Sequence, residues 1–144
     1  MAPARRFEPI ILFVQWKSMM RGIRSYLSHV GVRVLALDGN GRQRETTLNE
    51  FIHRGGVLVL CMEDSFAGLH LPQAQMIVFA HAIVGDIGMV KRLERQAIAR
   101  CVRPGQTSDV VDVVSLVVSE SDEEVLWRDT HGRTVAGVHA RDAA

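Results

Sequence analysis

The amino-acid sequence predicts an α/β fold with a mostly parallel sheet and helices on both of its faces. Short apolar runs alternate along the chain with segments whose apolar residues recur at helical spacing. The predicted order is βαβαβ, a loop, and then βαβα. Such alternation is typical of parallel sheets, in which helices cover both faces. The 144 residues, 47% of them hydrophobic, suit a single folded domain.

Three predicted strands and two predicted helices occupy the first half of the chain. The apolar runs that favour strands are residues 10–16 (IILFVQW), 32–37 (VRVLAL) and 57–62 (VLVLCM). Helical spacing begins after the first run and stops at Gly31. The second helix follows the turn DGNG, ends at a Gly-Gly pair, and has Leu48, Phe51 and Ile52 on one face.

The second half adds two strands and two helices. The strands are predicted at QMIVFAH (75–81) and DVVDVVSLVV (109–118). A helix over about residues 88–102 has these apolar residues on its inward face: Met89, Val90, Leu93, Ala97 and Cys101. The segment SDEEVLW begins a short last helix. We predict a leader over residues 1–8, the folded domain over 9–127, and a flexible polar tail over 128–144.

Composition and cysteine usage narrow the classes of function. The formal net charge is +1, so no overall charge attracts nucleic acid or an anionic membrane. The longest apolar runs are too short to cross a bilayer, which predicts no membrane partner. Cys61 and Cys101 lie far apart in apolar segments, which favours two buried thiols in a reducing intracellular compartment.

The chain lacks the motifs of a self-sufficient catalytic site. It contains no GxxxxGK[ST] phosphate loop, no GxGxxG that opens a helix after a strand, no HExxH and no GxSxG. The six histidines are scattered, so we predict no metal site. In parallel α/β folds, ligands collect at the carboxyl ends of the strands. The segments DGNGRQR, EDSFAGLHL and AIVGDIG are therefore expected along a functional edge.

A segment between the fourth and fifth predicted strands has the pattern of an anion receptor. Its sequence is QAIARCVRPGQ. Gln96, Arg100 and Arg103 are spaced by four and three residues, which places them on one face of a helix. Two guanidinium groups on the same face suit phosphate oxygens. The alternative is an ordinary solvated basic face.

Five segments in sequence order carry a resemblance to a known family. They are the opening ILFVQWKSMMRGIRSYLSHVGVRVLALDG, the Arg44 to Phe51 spacing in RETTLNEF, LCMEDSFAGLHLPQAQMIVF, QAIARCVRPGQT, and the closing SESDEEVL. In this order they resemble the second, C-terminal RecA-like lobe of the Swi/Snf-type ATPases, a branch of the superfamily-two helicases. The resemblance covers residues 9–127 and implies a single RecA-like lobe.

The resemblance implies a nucleotide role for the arginines. In this family ATP lies between two lobes, and the second lobe supplies arginines that reach the γ-phosphate. By the match these are Arg100 and Arg103, with Gln96 beside them. ATP with Mg²⁺ would be bound mainly by a first lobe, so this chain alone is expected to be inactive.

The resemblance also implies contacts with duplex DNA. By the match, Ser65 and Gly68 in the loop after the third strand hold backbone phosphates, and Gln15 and Lys17 can face DNA. The alternative for the loop is a plain connection. Trp16 could also face DNA, and its alternative role is that of a packing anchor. The implied partners are a first RecA-like lobe in the same full-length polypeptide, and ubiquitin-ligase or chromatin proteins. The implied location is nuclear in a eukaryote and cytoplasmic otherwise.

Departures from the family pattern keep two further hypotheses open. Val14 replaces the usual Ser, His70 the usual Asn, and Ala99 the usual Gly, while Val102 and Pro104 are further changes. A degenerate, non-catalytic lobe that acts as a protein-interaction or regulatory module is the main alternative. The third hypothesis is an unrelated small enzyme with a nucleotide-binding type of fold.

Overall fold

A computed structural model describes residues 7–63, 74–101 and 111–132, which form one parallel sheet with flanking helices. The strands are β1 (Pro9–Val14), β2 (Val34–Ala36), β3 (Gly56–Cys61), β4 (Met76–Phe79) and β5 (Asp112–Ser115). The helices are α1 (Lys17–His29), α2 (Gly41–Arg54), α3 (Ile87–Cys101) and α4 (Asp122–His131). The element order and the parallel α/β fold that the sequence predicts are both confirmed.

The sheet has the strand order β2-β3-β1-β4-β5, and every neighbouring pair is parallel. β1 lies at the centre, with Ile10 opposite Val57 of β3 and Met76 of β4. Five of the six residues of β1 are buried. An apolar run that lacks polar alternation suits this position, because a central strand of such a sheet is covered on both faces.

The helices cover both faces because the chain reverses its direction across the sheet. The connection from β1 to β2, which contains α1, crosses β3 toward the β2 edge of the sheet. The connections from β2 to β3 and from β4 to β5, which contain α2 and α3, lead toward the β5 edge. Accordingly, α1 packs on one face through Met20, which joins Val14 and Val59 in a buried cluster. α2 and α3 supply Phe51 and Val90 to the cluster on the other face.

The second helix differs from its predicted form at two points. It begins at Gly41, within the segment DGNGR, because the Asn40 side chain accepts a hydrogen bond from the Gln43 backbone N–H, and the Gln43 side chain accepts one in return. Phe51 is buried and Leu48 packs against the core, as predicted, whereas Ile52 is 36% exposed. The buried stripe of this helix is therefore narrower than its apolar residues suggest.

The last helix passes the position at which the sequence suggests a flexible tail. α4 continues to His131, and Gly132 follows it with a φ of 66°. Thr130 is 5% exposed, and the imidazole Nε2 of His131 lies 2.9 Å from a carboxylate oxygen of Glu94 on α3. Residues 128–131 are thus helical, and Thr130 and His131 pack through polar contacts that leave no apolar pattern in the sequence. Residues 133–144 lie outside the described part of the chain.

The predicted leader also overlaps ordered structure. The backbone N–H of Phe7 donates to the carbonyl of Arg54, and the carbonyl of Glu8 accepts from Gly56. Gly55 has a φ of 71°, and a Cβ atom there would lie 2.0 Å from the Phe7 carbonyl oxygen. The Gly-Gly pair therefore both ends α2 and allows close passage of the chain before β1.

Candidate functional site

The last turn of α3 carries the nucleotide-binding candidates that the structure describes. Gln96 is exposed and Arg100 half-buried, one turn apart on the same side of the helix. Ala97 and Cys101 form the neighbouring stripe and are 3% and 0% exposed, because they pack into the core. This buried stripe fixes the direction in which Gln96 and Arg100 point.

Arg103, the third member of the predicted anion receptor, lies outside the described residues, so its place beside Gln96 and Arg100 stays a prediction. The thiol of Cys101 donates to the Ala97 carbonyl at 3.4 Å. Burial raises the pKa of Cys101 to about 12. Its sulfur therefore acts as a protonated packing group within this turn.

A groove of about 530 Å³ runs along the neighbouring side of α3, lined by Lys91, Glu94, Arg95, Ile98 and Ala99. Glu94 lies at its margin, where its two oxygens are 2.9 and 3.0 Å from the His131 Nε2. The His131 Nδ1 faces the Trp127 carbonyl at 2.8 Å, and the two aromatic rings stack. The Glu94–His131 contact attaches α4 to α3, and the contacts with Trp127 hold the imidazole in place within α4.

Gln15 lies at the carboxyl end of the sheet, directly after β1. Its side-chain amide donates to the Val84 carbonyl and accepts from the Val84 backbone N–H, both at 2.7 Å. The residue is 9% exposed. Gln15 therefore holds the loop between β4 and α3, and its predicted contact with DNA stays a prediction.

His81, two residues after β4 ends, also contacts Gln15. Its Nε2 accepts from the Gln15 backbone N–H at 3.0 Å, so the proton is assigned to Nδ1, which donates to the Ala82 carbonyl at 2.9 Å. Trp16 stacks on the imidazole with ring centroids 5.5 Å apart and an interplanar angle of 3°. The indole is 38% exposed, so it packs on one side and remains accessible.

Glu123, in the first turn of α4, holds the same loop from a second direction. Its carboxylate accepts from the Ala82 N–H at 2.8 Å and from the Val118 N–H at 3.4 Å. The next residue, Glu124, accepts from the Glu120 N–H at 2.6 Å. The paired glutamates of SESDEEVL thus position backbone, a role that their sequence alone does not reveal.

Lys17 begins α1 at the same end of the sheet. Its backbone N–H donates to Glu63 at 3.4 Å, and its ammonium lies 3.6 Å from Asp38. The Gly39 backbone N–H, together with the positive charges of Lys17 and Arg44, lowers the pKa of Asp38. Both side chains of the Lys17–Asp38 pair are more than half exposed, so Lys17 remains accessible to a ligand. Sequence reasoning did not single out Asp38.

The motif that pairs Arg44 with Phe51 has a structural basis in α2. The Arg44 Nε donates to the Gly39 carbonyl at 3.2 Å, which stabilises the turn that leads into the helix. Phe51 is 1% exposed within the main core. The spacing of seven residues therefore places Arg44 at the turn and Phe51 in the core.

The structure places the described candidates on two separate surfaces. Gln15 and Lys17 lie where the strands end, together with Asp38, Glu63 and His81. Because α3 connects two parallel strands, it runs back across the sheet, and its 15 residues span about 22 Å. Gln96 and Arg100 are therefore at the amino end of the sheet. Ser65 and Gly68 lie outside the described residues.

The described residues contain neither a candidate metal cluster nor a membrane-spanning helix. Within residues 7–63, 74–101 and 111–132, no group of three or more His, Cys, Asp or Glu side chains could hold a metal ion. None of the described helices is long and apolar enough to span a membrane. Both buried cysteines are free thiols, in agreement with the burial that the sequence predicts.

Comparison with known proteins identifies the class of protein that has this fold. The family model described as the helicase conserved C-terminal domain matches residues 4–105. The chain belongs to this family. Within it, the chain is a C-terminal, second RecA-like lobe of the Swi/Snf-type branch of the superfamily-two ATPases, as the ordered motifs suggest.

Similar proteins support this assignment. DNA repair protein RAD5A of Arabidopsis thaliana is 33% identical over 102 residues, which are 69% of this chain and 10% of that protein. Chromatin-remodeling ATPase INO80 of the same plant is 28% identical over 131 residues, or 88% of this chain and 8% of that protein. The chain thus spans about a tenth of these relatives.

A solved structure shows the same fold. The crystal structure of the C-terminal part of the Fun30 ATPase domain superposes with a TM-score of 0.68 and 19% identity. The superposition covers 91% of this chain and 41% of that one. It confirms the RecA-like fold of the chain.

Proposed function

We propose that this chain is the second lobe of an ATP-driven DNA translocase of the chromatin-remodelling or DNA-repair type. The observation that carries the proposal is the pairing of Gln96 and Arg100 on the open side of α3, fixed by the buried Ala97 and Cys101. The names of the relatives, a DNA repair protein and a chromatin-remodelling ATPase, support the class of process.

The side chains of the last turn of α3 fit a nucleotide phosphate. An arginine stays charged at any physiological pH and offers a planar set of donors, and the Gln96 amide adds another donor. In the proposed mechanism, Arg100 and Arg103 stabilise the negative charge that develops on the γ-phosphoryl group. Such arginines are effective only when a second set of groups holds the nucleotide. We assign ATP and Mg²⁺ chiefly to a first lobe.

DNA would contact the other end of the sheet. In this proposal, Lys17, Ser65 and Gly68 bind backbone phosphates of duplex DNA, which fixes position without reading sequence. Gln15 contributes by holding the loop at Val84, in addition to any direct contact. The separation of the two surfaces is consistent with two different ligands that bind at once.

The implied partners follow from the same proposal. The first RecA-like lobe would belong to the same polypeptide, and ubiquitin-ligase or chromatin proteins would be further partners. The location would be the nucleus in a eukaryotic cell and the cytoplasm otherwise.

The first experiment measures the native polypeptide. An antibody to this chain, with peptide mass spectrometry, should detect a protein far above 16.0 kDa that includes a phosphate-loop lobe. In that protein, Arg100→Ala should lower the kcat for ATP by about 10³ or more, whereas Arg92→Ala, also on α3, should change it less than twofold. Appreciable ATP hydrolysis by the purified 144-residue chain would refute the proposal.

One observation favours the alternative of a non-catalytic interaction module. Ala99 lies exposed next to Arg100, where the family pattern has Gly, and its methyl group adds bulk on a surface meant for close approach. If the lobe is non-catalytic, Arg100→Glu should leave the function of the full-length protein intact. Loss of ATP turnover in that variant would instead support the motor.

A further inference from the structure

The first helix carries an exposed basic stripe, of which only Lys17 has a role implied by the family resemblance. Lys17, Arg21 and Arg24 are spaced by four and three residues, so they share one side of α1, and all three are exposed. We call these three residues the α1 stripe. Met20 and Ile23 on the other side pack against the sheet and fix the orientation of the helix.

A groove of about 300 Å³ lies beside the α1 stripe. Met20 and Ala36 are among its lining residues, with Asp38 at the end nearest to Lys17. Asp38 pairs with Lys17 at 3.6 Å. Within the described part of the chain, no ion pair joins Arg21 or Arg24 to a carboxylate. The groove therefore combines three cations with one carboxylate, and the two arginines lack an acidic partner there.

The spacing of the stripe fits a nucleic-acid backbone. Lys17 and Arg24 are seven residues apart, which is about 10 Å along a helix. Along the duplex axis, one strand of B-DNA rises about 3.4 Å per nucleotide, so a stripe that lies parallel to this axis is as long as about three nucleotides. The stripe also starts at Lys17, where the proposed DNA contact lies, and α1 covers the face of the sheet opposite to α3.

We propose that Arg21 and Arg24 extend the DNA-binding surface along α1 by binding successive backbone phosphates of duplex DNA. This inference rests on the proposed function, since it lengthens the contact that begins at Lys17. Arginine suits the role because its guanidinium can donate two parallel hydrogen bonds to a phosphate. The contacts would be independent of base sequence.

The test is a salt titration of DNA binding. Fluorescence anisotropy of a labelled 20-base-pair duplex is measured with the 144-residue chain at several NaCl concentrations between 50 and 200 mM. The Arg21→Gln/Arg24→Gln variant should weaken binding at 50 mM by at least about tenfold. Its plot of log affinity against log salt should be shallower by about 1.8, because each lost phosphate contact removes about 0.9.

A matched control removes two exposed arginines from the other face of the sheet. Arg54→Gln/Arg92→Gln makes the same change in net charge on α2 and α3, and it should leave the slope within about 0.3 of the wild-type value. Circular dichroism melts verify that both variants are folded. An equal loss of slope in the two variants would overturn the proposal, since it would reflect net charge alone.

The remaining outcomes separate this inference from the proposed function. Salt-dependent DNA binding that the Arg21→Gln/Arg24→Gln variant retains in full would overturn the role of the α1 stripe and leave DNA binding in place. Absence of duplex binding by the wild-type chain at 50 mM NaCl would overturn both. A poly-glutamate peptide that competes as well as unlabelled duplex of equal charge would assign the stripe to an acidic protein instead.

Discussion

The Gln15 amide offers a direct test of how the carboxyl end of the sheet is organised. Both of its polar atoms bond the Val84 backbone at 2.7 Å, one as a donor and one as an acceptor. Gln15→Glu preserves the acceptor for the Val84 N–H. The second carboxylate oxygen would face the Val84 carbonyl oxygen, where the amide donated a hydrogen bond.

The expected loss of stability comes from two sources. The missing hydrogen bond is worth about 1 kcal/mol, and opposing a carboxylate to a carbonyl at a site that is 9% exposed adds about 1–2 kcal/mol. We therefore expect Gln15→Glu to lower the free energy of unfolding by about 2–3 kcal/mol at pH 7.5. This value is large compared with the usual effect of a surface substitution.

The loss should depend on pH with a defined sign. A protonated carboxyl can donate to the Val84 carbonyl, so the folded state raises the pKa of the introduced group above the ordinary value of about 4.3. The folded variant then binds more protons than the unfolded variant, and its stability relative to wild type falls as pH rises above about 4.3. The penalty should be smaller at pH 4.5 than at pH 7.5.

Urea unfolding followed by circular dichroism measures this penalty at both pH values. Gln75→Glu is the control, because Gln75 is exposed and the substitution changes the net charge by the same amount. It should change the free energy of unfolding by no more than about 0.5 kcal/mol. A Gln15→Glu variant as stable as wild type at pH 7.5 would refute the role of this amide. A penalty that grows as pH falls would refute the hydrogen-bond geometry.

Three other predictions concern the packing of the helices. His131→Ala should cost about 2–4 kcal/mol in urea unfolding, since it removes the contact with Glu94 and the stacking on α4, whereas the exposed His53→Ala should cost under about 0.5 kcal/mol. Asn40→Ala removes the cap of α2 and should cost about 1 kcal/mol by the same assay; no change would show that the cap is dispensable. Iodoacetamide at pH 8 should leave Cys101 unmodified in the folded chain, because its pKa of about 12 keeps the thiol protonated. Mass spectrometry compares the labelling of Cys101 in the native chain with that in the urea-unfolded chain.

The strands were predictable because each carries a local signal. Central strands such as β1 are apolar throughout, since both faces of the sheet are covered. The edge strand was harder to delimit: β5 ends at Ser115, although its apolar run continues to Val118. Leu116 and Val118 are 50% and 64% exposed. Hydropathy shows that a segment is apolar, but it does not show where pairing with a neighbouring strand stops.

The candidate site likewise contains residue pairs that are close in sequence and pairs that are far apart in sequence. The pairing of Gln96 with Arg100 follows from helical periodicity and was predictable. The contact of Gln15 with Val84 joins residues 69 positions apart, and that of Glu123 with Ala82 joins residues 41 apart. A single sequence contains no signal for such pairs, because many side chains of either type could have bonded any loop backbone. Only the fold brings them together.

These distant contacts lie next to the first turn of α3, whereas Arg100 lies in its last turn. Gln15 and Glu123 hold the loop that leads into α3, and α3 is one uninterrupted helix of about 22 Å. A continuous helix transmits a displacement of its first turn to its last turn, because its backbone hydrogen bonds resist internal deformation. The two candidate surfaces are therefore separate in space but connected by one continuous helix, and in the proposed motor this helix would link DNA contact at one end to nucleotide contact at the other.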